Sequence, residues 1–152
     1  MKKLLMLVII ALFGIAITIS GQNFRGEVIK HEIYIPNNSY IGDSDNVDII
    51  STGAFDIVRV SCDNYDIIKG GIHDIYGEAA TIQGDKKCVD ALIDRLNITI
   101  VDRDALNDKI VIYGYSPNIN RCVKHKGKMV NIELVYGNNQ IEIGTPLIMG
   151  SY

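Results

Sequence analysis

The sequence predicts an α+β fold, in which a largely antiparallel sheet of about eight strands carries one main amphipathic helix, residues 85–97, on one face. Short segments rich in β-branched residues recur along the chain, and short turns join most of them. Only one segment shows a clear helical period. Parallel strands need crossover connections of a dozen or more residues, so the short turns indicate antiparallel pairing.

Four apolar side chains recur at the spacing that places them on one face of the predicted helix: Val89, Leu92, Ile93 and Leu96. Asp85 is a suitable N-cap because its carboxylate can accept the unpaired N–H groups of the first turn. Asn97 tolerates the left-handed backbone that commonly follows a helix. A helix of about 12 residues is marginal in water alone, so we expect it to lie on a sheet.

The predicted strands are bounded by glycine, proline, asparagine and aspartate. They are Gly26–Pro36, Val47–Ser51, Phe55–Cys62, Ile72–Ile82, Ile98–Val101, Ile110–Tyr115, and the two arms of a last hairpin at 130–136 and 141–143. Gly77 is expected to mark a bulge or a close approach of two strands. The segment Asp102–Asp108 is expected to be a polar connection in which the paired carboxylates of Asp102 and Asp104 are solvated.

The last hairpin has the clearest strand pattern. Val130, Ile132, Leu134 and Tyr136 alternate with polar residues, which predicts one buried and one wet face. A two-residue turn at Asn138-Asn139 pairs Tyr136 with Ile141 and Leu134 with Ile143, because a slip of one residue would send these side chains to opposite faces.

Three cysteines are present, so at most one internal disulfide can form. Cys88 flanks the apolar stripe of the helix, and Cys62 continues a strand pattern. We therefore expect both to be buried as small apolar residues.

Residues 1–20 are read as a signal peptide or an N-terminal membrane anchor, and 21–152 as a single domain outside the cytoplasm. Two lysines precede an apolar run of 16 residues, Leu4–Ile19, which is long for a signal peptide and slightly short for a membrane span of ~20 residues. Thr18 and Ser20 are small enough to precede a cleavage site. The protein is therefore expected to be secreted, or anchored to the outer face of the cytoplasmic membrane.

Composition and motifs favour a binding role over catalysis. Without Lys2 and Lys3 the formal net charge of −3 becomes −5, and an acidic domain argues against nucleic-acid binding. No phosphate-binding glycine loop, nucleophile elbow or metal-binding histidine spacing occurs in the sequence, so no catalytic residue, cofactor or metal ligand is predicted. A hydrolase remains an alternative, and it would place His73 or His125 beside an acid.

One basic cluster lies between two predicted strands and consists of Arg121, Lys124, His125, Lys126 and Lys128. Such a cluster can contact an anionic surface, such as phospholipid head groups, a wall polymer or an acidic protein. It can equally be a solvated hairpin whose lysines discourage edge pairing. Tyr113, Tyr115 and Tyr136 adjoin the cluster and are candidate aromatic contacts.

The segment Tyr113–Tyr152 resembles the end of the YwmB-like family, secreted proteins of spore-forming Gram-positive bacteria whose fold is described as like that of the TATA-box-binding protein. The matching motifs are YSP, the basic turn KGK, VNIELVY, IGTPLI and a terminal tyrosine. Together with the preceding IQGDKKCVDALIDRL, the resemblance covers roughly 77–152. It implies a curved antiparallel sheet and a location outside the membrane. The family has no established activity, so it implies no catalytic residues.

The sequence therefore predicts a non-enzymatic, exported interaction module of the cell envelope, linked to wall remodelling or sporulation, whose partner is a protein, an envelope polymer or a lipid surface. A scaffold subunit of an envelope complex, held in the membrane by Leu4–Ile19, is the main alternative. The sequence does not indicate an oligomeric state.

Overall fold

The computed structural model describes residues 17–19, 22–24, 28–40, 42 and 47–149. Within these ranges the strands are β1 Ile17–Ile19, β2 Gln22–Phe24, β3 Val28–Ile35, β4 Val47–Ser51, β5 Asp56–Val60, β6 Gly77–Gln83, β7 Thr99–Leu106, β8 Lys109–Tyr115, β9 Val123–His125, β10 Lys128–Val130, β11 Ile132–Gly137 and β12 Gln140–Thr145. The helices are α1 Tyr65–Gly70, which follows a 3-10 turn at Cys62–Asn64, and α2 Lys86–Arg95.

Eight strands form one sheet in the order β4-β5-β3-β6-β12-β11-β8-β7. Every neighbouring pair in this sheet runs antiparallel. Two further hairpins, β1–β2 and β9–β10, pair only within themselves. The predicted α+β class and largely antiparallel sheet are confirmed.

The predicted leader, residues 1–20, lies outside the described residues except for 17–19, which form β1. Among the residues with a described structure, no helix has both the length and the apolar character needed to span a bilayer.

Helix α2 is the predicted amphipathic helix, and it covers one face of the sheet, here named the helix face. The Asp85 carboxylate caps it by accepting the backbone N–H groups of Lys87 and Cys88 at 2.9 and 3.2 Å. Asn97 takes the left-handed conformation at φ 52°. The apolar stripe of α2 packs on a core of strand residues, and the buried members of this cluster include Ile82, Val89, Leu92, Leu96, Ile112, Leu134, Ile141 and Ile143.

The short helix α1 covers the other end of the helix face and was not predicted from the sequence. Its Tyr65 hydroxyl donates to Glu78 Oε2 at 2.6 Å, and Lys69 Nζ lies 2.7 Å from Glu78 Oε1. The Tyr65 ring also stacks on the buried ring of His31, with 4.1 Å between centroids. Glu78 is buried on β6, so these charge-assisted contacts fix α1 to the sheet.

The β11–β12 hairpin has the predicted register, in which Tyr136 pairs with Ile141 and Leu134 with Ile143. Its second face is buried rather than wet, because the chain after β12 folds back across it. Val135 is 1 % exposed, and the carboxylate of the equally buried Glu133 accepts the backbone N–H of Ile148 at 2.8 Å. The prediction of a wet face was therefore wrong.

Two predicted segment boundaries were also wrong. Strand β7 continues through Leu106, so Asp102 and Asp104 lie in a strand, and the turn is confined to Asn107 and Asp108. Strand β6 begins only at Gly77, where a Cβ atom would lie 2.8 Å from Thr145 O, which confirms a close approach there.

The two cysteines that were predicted to be buried differ in their exposure. Cys88 lies in α2 and is buried, as predicted. Cys62 is exposed, contrary to the prediction, because β5 ends at Val60 and Cys62 opens the following 3-10 turn. Its thiol donates to Val28 O at 3.1 Å.

Candidate functional site

The basic cluster of the sequence is centred on the β9–β10 hairpin. His125 pairs with Lys128, which leaves Lys126 and Gly127 as a two-residue turn. Both turn residues have positive φ, 47° and 80°, as a two-residue hairpin with the twist of the flanking strands requires. Gly127 adopts positive φ without steric cost, so one of the two turn positions is satisfied by glycine. The sequence Lys-Gly-Lys therefore folds into a tight, basic tip.

Strand alternation gives the hairpin two different sides. Lys124 pairs with Met129, and both side chains are exposed, Met129 to 43 %. Val130 lies on the other side and is fully buried against the protein. The hairpin therefore presents an outer side that combines a cation with an apolar side chain.

A buried asparagine anchors the base of the hairpin. Asn131 follows β10, and its amide nitrogen donates to Ser116 O and Ile119 O at 2.7 and 2.8 Å. Its amide oxygen accepts the Ser116 N–H at 2.7 Å. One side chain thus satisfies three backbone groups of the preceding loop and fixes where the hairpin leaves the sheet.

The inner side of the hairpin docks on the sheet face opposite α2 through His125. Its ring stacks on Tyr113, and its Nε2 lies 3.2 Å from Asp102 Oδ2. A bulge in β7 between Ile100 and Asp102 brings Asp102 into register with Tyr113, so both side chains project to this face. Without the bulge, Val101 would occupy that position.

Lys126, at the tip, forms ion pairs with two carboxylates of β7. Its Nζ lies 2.8 Å from Asp102 Oδ2 and 3.2 Å from Asp104 Oδ2. The hydrogen bond from Lys126 is the main reason that the pKa of Asp102 falls to about 2, and the same contacts raise the pKa of Lys126. Asp104 is exposed, as predicted, whereas Asp102 is half-buried, and these two carboxylates balance the charge of Lys126.

The remaining cations of the cluster differ in their contacts. Arg121 donates from its guanidinium to the carbonyl of Ile75, which ties it to the loop before β6. Lys124 and Lys128 are exposed, and neither forms an ion pair with any residue that the structure describes. These two lysines are the cations that the hairpin leaves available.

The three candidate tyrosines do not share one surface. Tyr113 and Tyr115 alternate with the core residue Ile112 on β8, so both face away from α2, and Tyr115 is 40 % exposed. Tyr136 packs at the margin of the core beneath α2 and is not brought to the hairpin.

The hydrolase alternative expects a histidine beside an acid, and His125 beside Asp102 meets that condition. Among the described residues, however, no hydroxyl or thiol is hydrogen-bonded to His125. Ser116, from the adjoining loop, donates its hydroxyl to Leu96 O at 2.6 Å. The described residues therefore place no nucleophile at the pair formed by His125 and Asp102, and His73, the other histidine of this alternative, is exposed.

Comparisons with known proteins identify no relative of this chain. No protein-family model, no curated protein and no solved structure matches it. The resemblance to the YwmB-like family, and the TATA-box-binding-protein-like fold that it implies, stay predictions based on the residues quoted above.

Proposed function

We propose that this protein is a non-enzymatic interaction module of the cell envelope, and that its β9–β10 hairpin contacts the phosphate groups of an anionic phospholipid surface. The observation that carries the proposal is that Lys124 and Lys128 are exposed and that neither forms an ion pair with a residue whose structure is described. They lie on a hairpin whose third lysine, Lys126, is occupied in docking it.

The contacts that hold the hairpin in place support this role. The stack of His125 on Tyr113 and the ion pairs of Lys126 hold the hairpin in one position before any ligand arrives. Preorganisation of this kind reduces the entropy lost on binding. Met129 adds an exposed apolar side chain beside Lys124, and such pairing of cations with apolar groups suits a membrane interface.

Charge and number of contacts limit the strength of such binding. The whole chain has a formal net charge of −3, so attraction to an anionic surface must be local. Two lysines near an anionic leaflet strengthen binding by about 30-fold. Stable attachment to a membrane takes a second anchor, and in this proposal the apolar run Leu4–Ile19 supplies it.

The proposal is tested by co-sedimentation of the full chain with vesicles of phosphatidylcholine, with and without phosphatidylglycerol. The difference between the two vesicle types isolates the anionic contribution, because the apolar run can insert into both. Neutralising the hairpin with Lys124→Gln/Lys128→Gln should remove most of that difference, and added salt should do the same to the wild type. The matched control is Lys86→Gln/Lys87→Gln, which removes the same charge from the start of α2.

Lys126 is unsuitable for the test of lipid binding because it docks the hairpin. Replacing Lys126 with glutamate would place a third carboxylate beside Asp102 and Asp104 and so disturb the docking of the hairpin. The Lys124→Gln/Lys128→Gln variant keeps Lys126, so a loss of lipid binding in this variant does not come from undocking of the hairpin. Binding to phosphatidylglycerol that is equal in the double variant, the control and the wild type would overturn the proposal and favour the membrane-held scaffold subunit.

Competition with a soluble polymer of glycerol phosphate shows whether the hairpin binds the phosphate groups of lipid or those of a wall polymer. If lipid is the ligand, the polymer should compete only weakly with the vesicles. Complete displacement at an equal phosphate concentration would instead assign the hairpin to a wall polymer.

A further inference from the structure

We propose that Asp102, Asp104 and His125 form a binding site for a divalent transition-metal cation of the zinc class, and that the Lys126 ammonium competes for this site. One ligand atom from each of these three residues lies within 4.8 Å of the other two. No sequence motif identifies these ligands, because β7 supplies two of the residues and the β9–β10 hairpin supplies the third. The proposal is independent of lipid binding.

The distances between ligand atoms fit a small cation. Ligands of a tetrahedral zinc site lie ~2.1 Å from the metal and therefore ~3.4 Å from one another. His125 Nε2 and Asp102 Oδ2 are 3.2 Å apart, so they already span one edge of such a tetrahedron. Asp104 is the most exposed of the three ligands, so a rotation of its side chain would close the remaining gap.

Two contacts outside the ligand set orient the ligands. The backbone N–H of Arg103 donates to Asp102 Oδ1 at 3.0 Å, which directs Oδ2 toward His125. The stack on Tyr113 fixes the plane of the His125 ring. Such second contacts are typical of metal sites, where they hold the ligands in place before the metal binds.

The donor set selects the class of metal. One imidazole nitrogen with two carboxylates suits zinc and its neighbours in the first transition series, whereas magnesium and calcium prefer oxygen ligands alone. With three protein ligands, a tetrahedral cation would keep one position for water.

The position of Lys126 determines the direction in which a substitution there should change the affinity for metal. Its ammonium lies 2.8 Å from the same Asp102 oxygen that the metal would bind, and it also contacts both oxygens of Asp104. Metal and ammonium cannot share these oxygens, so binding must displace Lys126 into solvent. Replacing the ammonium with a neutral side chain should therefore strengthen metal binding.

The test is isothermal titration of the full chain with zinc chloride in a Cys62→Ser/Cys122→Ser background, because exposed thiols also bind zinc. In that background Lys126→Gln should bind zinc at least ~10-fold more tightly, since the competing cation is gone. Lys87→Gln, an exposed lysine of α2, is the matched control and should bind as its parent does. Asp104→Asn should bind at least ~10-fold more weakly, as loss of a ligand exceeds the loss of an outer contact. Magnesium chloride should give no heat of binding.

Tetrahedral coordination has its own readout, the visible absorption of bound Co²⁺, which should appear in Lys126→Gln and be absent from Asp104→Asn. Far-UV circular dichroism checks that each variant is folded. Failure of zinc to bind to folded Lys126→Gln would overturn the proposal, as would equal affinity of Asp104→Asn and its parent. Neither result depends on lipid, so this proposal and the proposed function can fail separately.

Discussion

The imidazole ring of His125 lies nearly parallel to the phenol ring of Tyr113, with 3.8 Å between centroids and 18° between ring planes. This stack joins the β9–β10 hairpin to the main sheet, although no strand of the hairpin pairs with the sheet. The hairpin is therefore positioned by side chains, and its position depends on a small number of them.

A double-mutant cycle measures this contact. His125→Ala and Tyr113→Leu should each lower the free energy of unfolding, and the two losses should couple by ~0.5–1.5 kcal/mol, as expected for stacked rings. Urea unfolding of the wild type, both single variants and the double variant gives the coupling. Strictly additive losses would mean that the interaction between the two rings does not stabilise the protein.

Tyr65→Phe should destabilise the protein by ~1–3 kcal/mol, because the variant leaves the buried Glu78 carboxylate without its 2.6 Å donor while the stack on His31 is kept. Thermal and urea unfolding both report the loss. The matched control is Tyr115→Phe at an exposed position, which should change stability by no more than ~0.5 kcal/mol. Similar values for the two variants would contradict the structural role assigned to the Tyr65 hydroxyl.

Asn131→Ala should cost ~3 kcal/mol or more, since three backbone groups lose their partner in a buried place. Its effect should extend to the hairpin, which Asn131 anchors, so amide hydrogen exchange of 123–130 should accelerate. Asn118→Ala, an exposed change in the adjoining loop, serves as the control and should leave both stability and exchange unaltered. Normal exchange in a destabilised Asn131→Ala protein would show that the anchor is not needed.

Burial of His31 should make stability depend on pH above the range in which carboxylates titrate. Desolvation is the main cause that lowers the pKa of His31 below 6.5, and Lys69 adds to it, while Glu78 and Asp66 act in the opposite direction. Between 6.5 and the lowered value, the unfolded chain binds a proton that the folded chain does not. The free energy of unfolding should therefore fall as the pH decreases from 7 to 5.

His31→Gln should flatten this slope, whereas His73→Gln, at an exposed position, should keep it. Urea unfolding at half-unit pH steps provides the measurement. A slope that persists unchanged in His31→Gln would assign the pH dependence to other groups.

The parts of the fold that follow from local pattern were predictable. The period of Val89, Leu92 and Leu96 specifies α2, and Asp85 supplies its cap. The register of β11 with β12 follows from alternation and from a turn in which Asn138 and Asn139 both take positive φ. In these places propensity, pattern and turn chemistry agree.

The parts that depend on distant segments were not predictable. Val135 and Glu133 are buried because the chain after β12 returns across them, and no local pattern encodes that return. The sequence predicts a loop at Asp102 and Asp104 because aspartate is uncommon in strands. The two-residue turn at Asn107 and Asp108, directly before the predicted strand of β8, was the signal that could have identified a strand there.

Only part of the candidate site was therefore visible in the sequence. The cluster from Arg121 to Lys128 was recognised from its charge, which is a local property. Its division into a docked Lys126 and an available Lys124 and Lys128 depends on β7, which lies about twenty residues earlier in the chain. Long-range ion pairs of this kind need the fold before they can be assigned.

The contact between the hairpin and anionic lipid can be located by ¹⁵N–¹H NMR of the full chain, titrated with bicelles that contain phosphatidylglycerol and, separately, with neutral bicelles. If the hairpin binds anionic lipid, the amide signals of 123–130 should shift with the anionic bicelles alone, while those of strand β4, at the far edge of the sheet, should not move. Shifts confined to β4 or to the N-terminal apolar run, with the hairpin unchanged, would contradict this contact.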